Sequence, residues 1–259
     1  MRKLLVALPV LAVLFSACSI NNVTEDASLG KFFDSAGVKG CFAFYDNGQG
    51  HFTIYNLPRY RDSLYPAGST FDIVASLIAF QSGVVRDEKT LIGSPKDTPV
   101  GNAFKTDGAG ELFRYVEDTI GRDSLRKWVD SLHYGNQAFD KDTNAVYDGG
   151  LRLQADQQLG LIKKLYFNQL PFYRRTQEMV RDMFSKEENS NYKLVYKVAR
   201  VPYEGRTFGW VLGWIEENKH PYFFVLNVDA ADPNTNITLA GTQIVKRILS
   251  SMGFFQGRK

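Results

Sequence analysis

The stretch "PAGSTFDIVASL", Pro66 to Leu77, places a serine just ahead of an apolar helical run, with a charged residue at Ser+3. Groups at these two positions share one face of a helix start, and the N–H groups of such a start favour developing negative charge. The arrangement suits nucleophilic chemistry at Ser69. A serine hydroxyl, however, needs a base to take its proton. The residue at Ser+3 is Asp72, whose carboxyl has an ordinary pKa of about 3.9. Burial that raised this pKa would favour the protonated form, which cannot act as a base. A plain structural role is also open to both residues, with Ser69 capping a helix at Phe71 and Asp72 complementing its first turn.

The other candidates are sparse. Cys41 lies in the strand-like run "GCFAFYD" without a histidine nearby in sequence, and reads as a small buried hydrophobe. His51, His133 and His220 are scattered without ligand spacing, so no metal and no cofactor is expected. Trp210 and Trp214 share one face of a strand, where core packing is the expectation.

The positioning elements follow from periodicity. Residues 40–47 and 51–56 read as an aromatic-rich hairpin. Residues 71–83, apolar nearly all round and closed by Gly83, predict a buried helix. Amphipathic helices are predicted at 110–121, 123–133, 153–167 and 175–184. The period then changes to strands at 192–200, 206–217 and 221–230, and residues 241–253 predict a surface helix with one core stripe. The order implies an α/β (α+β) domain: an antiparallel sheet flanked by helices, with an all-helical subdomain inserted between early and late strands.

The chain has 259 residues and a formal charge of +3, without basic runs. That excludes a nucleic-acid footprint. Its start, Met1-Arg2-Lys3 followed by an apolar run to Phe15 and by Ser16-Ala17-Cys18, predicts a secretory signal over 1–17. Cys18 then resembles the lipidated first residue of a bacterial lipoprotein, although Phe15 stands where Leu, Val or Ile is usual. The expected organisation is signal 1–17, tether 18–30 and domain 31–259. The expected place is the bacterial cell envelope, on the periplasmic or outer-membrane face. Loss of Arg2 and Lys3 leaves a formal charge of +1, so the lipid on Cys18 would have to supply the membrane attachment.

From about Phe32 to Gly253 the sequence resembles the class D β-lactamases, within the penicillin-recognising serine family. The matches are "PAGSTFD", "LHYGN", "DGGLRLQADQQLGLIKKLYFNQLPF", and "TFGWVLGW" followed by "YFFVLNVD", in family order and spacing. The resemblance implies a β-lactamase/transpeptidase-like fold with its site between the sheet domain and the helical one. It makes Ser69 the nucleophile position and puts Asp72 where the family has a carbamylated Lys. It puts Tyr134 and Asn136 in the Tyr-Gly-Asn motif. It places Lys197, Val198 and Ala199 at the Lys-Thr-Gly, where Val198 lacks the hydroxyl that would hold a ligand carboxylate. It further sets Ala109 and Glu111 at the Ser-x-Val, Val146 at the Trp that covers the carbamate, and Gly241 at a carboxylate-pairing Arg. The resemblance therefore implies a catalytically idle member in which Asp72 and Lys197 could pair across the old pocket. Such a protein could bind a cell-wall (peptidoglycan) peptide or a protein. A weak penicillin-binding protein, or a β-lactam hydrolase acylated at Ser69, remains the alternative, as does a sensor role.

Overall fold

The structure is a computed structural model that describes residues 22–93, 97–106, 110–136, 150–232 and 234–259. Cys18, Ala109 and Val146 lie outside the described residues.

The chain opens with β1 (Val23–Glu25) and a 3₁₀ turn, then α1 (Gly30–Asp34), β2 (Lys39–Asp46), β3 (His51–Tyr55), α2 (Leu57–Asp62) and β4 (Tyr65–Pro66). A second 3₁₀ turn, Gly68–Phe71, runs into α3 (Asp72–Gln81). The helical insertion holds β5 (Leu91–Ile92), β6 (Thr98–Pro99), α4 (Val100–Lys105), α5 (Glu111–Ile120), α6 (Arg122–Ser131), β7 (Arg152–Leu153), α7 (Ala155–Tyr166) and α8 (Arg174–Met183). The chain returns through β8 (Ser185–Glu188), β9 (Lys193–Tyr203), β10 (Arg206–Glu217) and β11 (His220–Ala230) to α9 (Ile237–Ser251).

Among the described residues the main sheet has seven strands, in the order β1-β3-β2-β11-β10-β9-β8. All neighbours are antiparallel except β1, which runs parallel to β3. Alternation along the strands sorts their side chains to two cores. Trp210, Leu212 and Trp214 face the helical insertion, whereas Val211 and Ile215 face α1 and α9. The two tryptophans are buried in the core as their spacing suggested, and the Trp210 indole donates to the Pro66 carbonyl at 2.9 Å. Cys41 is a free, buried thiol, and burial pushes its pKa up to about 12 against the opposing pull of Arg59.

Helix α3 is the pivot of the insertion. Every residue from Asp72 to Ala79 is buried, as the all-round apolar pattern requires. Its end matches expectation, with Gly83 at φ +75° after the last turn. The tether reading is corrected for residues 23–30. Val23, Thr24 and Glu25 pair with Phe52, Thr53 and Ile54, and a 3₁₀ turn and α1 follow. A parallel edge of three residues has no period long enough to read. The last helix also begins at Ile237, earlier than 241, where the Asn236 side chain caps it by accepting from the Leu239 amide at 3.0 Å.

Candidate functional site

Ser69 sits in the 3₁₀ turn that feeds α3, fully buried at 0% exposure. Its hydroxyl has no hydrogen-bond partner among the described residues. The capping role is therefore corrected: α3 has no side-chain cap at its start. The hydroxyl that holds the turn belongs to Thr70, which donates to the Ala67 carbonyl at 2.6 Å and accepts from the Gln158 amide at 2.7 Å. Gly68 supplies the left-handed backbone at φ +53°, and a Cβ there would stand 3.0 Å from Val201 Cβ. Strand β9 thus lies hard against the turn that carries Ser69.

Asp72 and Lys197 meet across this contact. Their charged atoms are 3.6 Å apart and both side chains are almost wholly buried. Asp72 is the first residue of α3, and Lys197 projects from β9, opposite Leu212 of β10. The ammonium also donates to the Phe104 carbonyl at the end of α4 and lies over the Phe104 ring, 4.3 Å from its centroid. Phe104 in turn packs on Phe184 at 5.3 Å. Paired charges in such a setting are costly to separate, because each would be left uncompensated away from water.

The remaining motif positions divide between the two sheet faces. Ala199 shares the face of Lys197 and is fully buried. Val198 points the other way, into the core under α9. The expectation that Val198 stands at a ligand carboxylate is corrected by this alternation, since neighbouring strand residues face opposite sides. Gly241 is corrected likewise. It faces the sheet, where a Cβ would be 3.0 Å from Val211 Cγ2 and 3.3 Å from Leu226 Cδ2. The helix–sheet contact asks for a small residue there, and a side chain at 241 would enter the core rather than the cleft. Glu111 begins α5.

The Tyr-Gly-Asn motif holds the chain to itself. The Asn136 side chain donates to the Gly150 carbonyl at 3.0 Å and accepts from the Arg152 amide at 3.1 Å. Gly135 has φ +64°, and a Cβ would lie 2.5 Å from the Arg152 carbonyl oxygen, so only glycine lets β7 pass this close. Tyr134 stacks obliquely on Phe71 at 5.8 Å. Its buried hydroxyl lies in the layer of Thr70 and Gln158 without a hydrogen bond of normal geometry. Burial raises its pKa well above the ordinary phenol value, Thr70 and Gln158 pull it down, and the Asp72 charge adds to the rise.

Three participants escaped the sequence reading. Phe104 contributes a backbone carbonyl and a ring, and Gln158 lies in an amphipathic helix like any other polar residue. Arg59 donates through Nε to the Asn227 side-chain Oδ1 at 3.1 Å and pairs with Asp229 at 2.6 Å. It comes from α2, a helix of six residues capped by Asn56 and too short for periodicity to reveal. Among the described residues there is no cluster able to hold a metal ion.

The profile described as penicillin binding protein transpeptidase domain matches residues 40–250, from β2 into α9. The chain belongs to this transpeptidase family. Within it, the chain is a homologue of class D β-lactamases. It is 30% identical to β-lactamase OXA-20 of Pseudomonas aeruginosa, over 92% of this chain and 94% of that protein. It is also 30% identical to β-lactamase OXA-2 of Salmonella typhimurium, over 95% of this chain and 94% of that one. The C-terminal domain of the Bacillus licheniformis BlaR penicillin receptor superposes with a TM-score of 0.82 at 24% identity, covering 91% of this chain and 98% of the receptor domain. The class D β-lactamase YbXI of Nostoc superposes at 0.78 with 26% identity, covering 88% and 99%. The transpeptidase-family fold thus supplies the turn that carries Ser69, the facing strand and the Tyr-Gly-Asn loop, while Asp72 and Lys197 meet between turn and strand.

Proposed function

We propose that this protein is an envelope lipoprotein on the class D scaffold that does not turn over β-lactams and instead binds a cell-wall peptide or a protein. One observation carries the reading. The Lys197 ammonium is committed to Asp72 and to the Phe104 carbonyl, while the Ser69 hydroxyl stays buried without a hydrogen-bond partner among the described residues. Among the described residues no base is hydrogen-bonded to the Ser69 hydroxyl, and removing a nucleophile's partner typically costs several powers of ten in rate. The test incubates purified protein with a chromogenic cephalosporin and a fluorescent penicillin. The expected result is neither hydrolysis above buffer nor a covalent adduct. Hydrolysis abolished by Ser69→Ala would overturn the reading. A stable adduct without turnover would select the receptor-like alternative, which the presence of Ser69 and the likeness to the BlaR receptor domain favour.

Attachment through Cys18 belongs to the same proposal and rests on the apolar run ending in Ala17-Cys18. Metabolic labelling with a fatty-acid probe is expected to tag the wild type and leave Cys18→Ala untagged. Equal labelling of both would remove the lipid from the account.

A further inference from the structure

A cavity of about 290 Å³, with the Tyr134 ring in its wall, opens between the end of α6 and α7. Its apolar wall is Leu132, Leu161 and Leu170, with the Tyr134 ring and His133 beside them. Its length is set by α7, where Asp156, Gly160 and Lys164 succeed one another at intervals of four. Such residues line one helix face, and eight residues advance about 12 Å along the axis. The trough therefore has a carboxylate at one end, an ammonium at the other and a glycine between them.

The glycine points to an occupant. In the middle of a helix, glycine is a poorer choice than alanine. Packing does not demand it here, because a Cβ at 160 would meet nothing within 4 Å. What its absence provides is open helix backbone at the floor of the trough. We propose that this trough is a second binding site, for a zwitterionic peptide of two or three residues bearing an apolar side chain. The ammonium would lie toward Asp156, which keeps one oxygen on the Tyr60 hydroxyl at 2.6 Å, and the carboxylate toward Lys164. A chain of that length spans roughly 3.3–3.6 Å per residue, which fits between the two charges. The cavity is at the small end of ligand pockets, so the apolar side chain against the three leucines supplies the affinity and the charges set the direction. The cavity lining includes neither Ser69, Asp72 nor Lys197, so the proposal does not depend on whether that serine can be acylated.

The test is calorimetric titration of the full chain with leucyl-leucine, with N-acetyl-leucyl-leucine amide as the uncharged control. Wild type is expected to bind leucyl-leucine saturably, with a Kd on the order of 0.1–1 mM for a ligand of this size. The capped peptide should bind roughly tenfold more weakly, and Lys164→Glu should weaken leucyl-leucine by a similar factor. Gly160→Leu, which fills the trough, should abolish binding while leaving the melting temperature unchanged or raised. Absence of saturable binding to wild type would overturn the proposal, as would unchanged binding to Gly160→Leu. Equal binding of the capped peptide would overturn the zwitterionic class. Should Gly160→Leu fail to fold, Lys164→Glu decides, with undiminished affinity counting against the site.

Discussion

Replacing Asp72 by Ala is expected to lower folding stability by about 3–5 kcal/mol, the usual cost of removing one member of a buried ion pair. The loss arises because Lys197 stays behind, buried, 3.6 Å from the space the carboxylate held. Its bond to the Phe104 carbonyl and its place over the Phe104 ring soften the effect without cancelling the charge. In a chain of this size the change corresponds to a melting temperature lower by on the order of 10 °C. The double variant Asp72→Leu with Lys197→Met removes both charges and keeps the volume filled, so most of the stability should return. Urea denaturation of wild type, the single variant and the double variant gives the coupling directly. If Asp72→Ala lost less than about 1 kcal/mol, the value ordinary for exposed pairs, the pair would not be what closes this cleft.

Asp72→Lys, which restores the family's residue at Ser+3, is expected to yield no hydrolysis, with or without added bicarbonate. A carbamate forms on a neutral amine, which requires an environment that lowers the Lys pKa. The new amine would enter the buried space beside Lys197 that a carboxylate now neutralises. Two ammonium groups there repel each other, which helps to deprotonate one but destabilises the fold. Restoring a base would also leave the other faults in place. Ser69 is shut off from solvent, Val198 faces the core under α9, and Gly241 is packed against the sheet. Contacts that stabilise a transition state would still be missing. The variant should melt below wild type and leave a chromogenic cephalosporin intact. Bicarbonate-dependent turnover from this single change would mean a pocket complete except for its base, contrary to the reading of a dismantled one.

The sequence by itself determined the scaffold. Period-two runs fixed the late strands, and the all-round apolar pattern of 72–79 marked the buried helix, because burial on every side leaves no polar face. The spaced motifs were enough to name the family before any coordinates, and to pair Asp72 with Lys197 across the cleft. What the sequence left open depended on contacts between residues far apart in the chain. Phe104 enters the site through a backbone carbonyl, which every residue possesses and no pattern marks. Val198 left the site because strand alternation acts on the actual pleat, and a motif match does not say which side chain turns inward. Gly241 left it because the close approach of α9 to the sheet sets what can stand there. Ser69, equally suited by its sequence to cap a helix or to attack a carbonyl, does not cap α3. A 3₁₀ turn and the pressing strand β9 bury its hydroxyl where no described residue hydrogen-bonds to it, an outcome of tertiary packing that the residues around it do not encode locally.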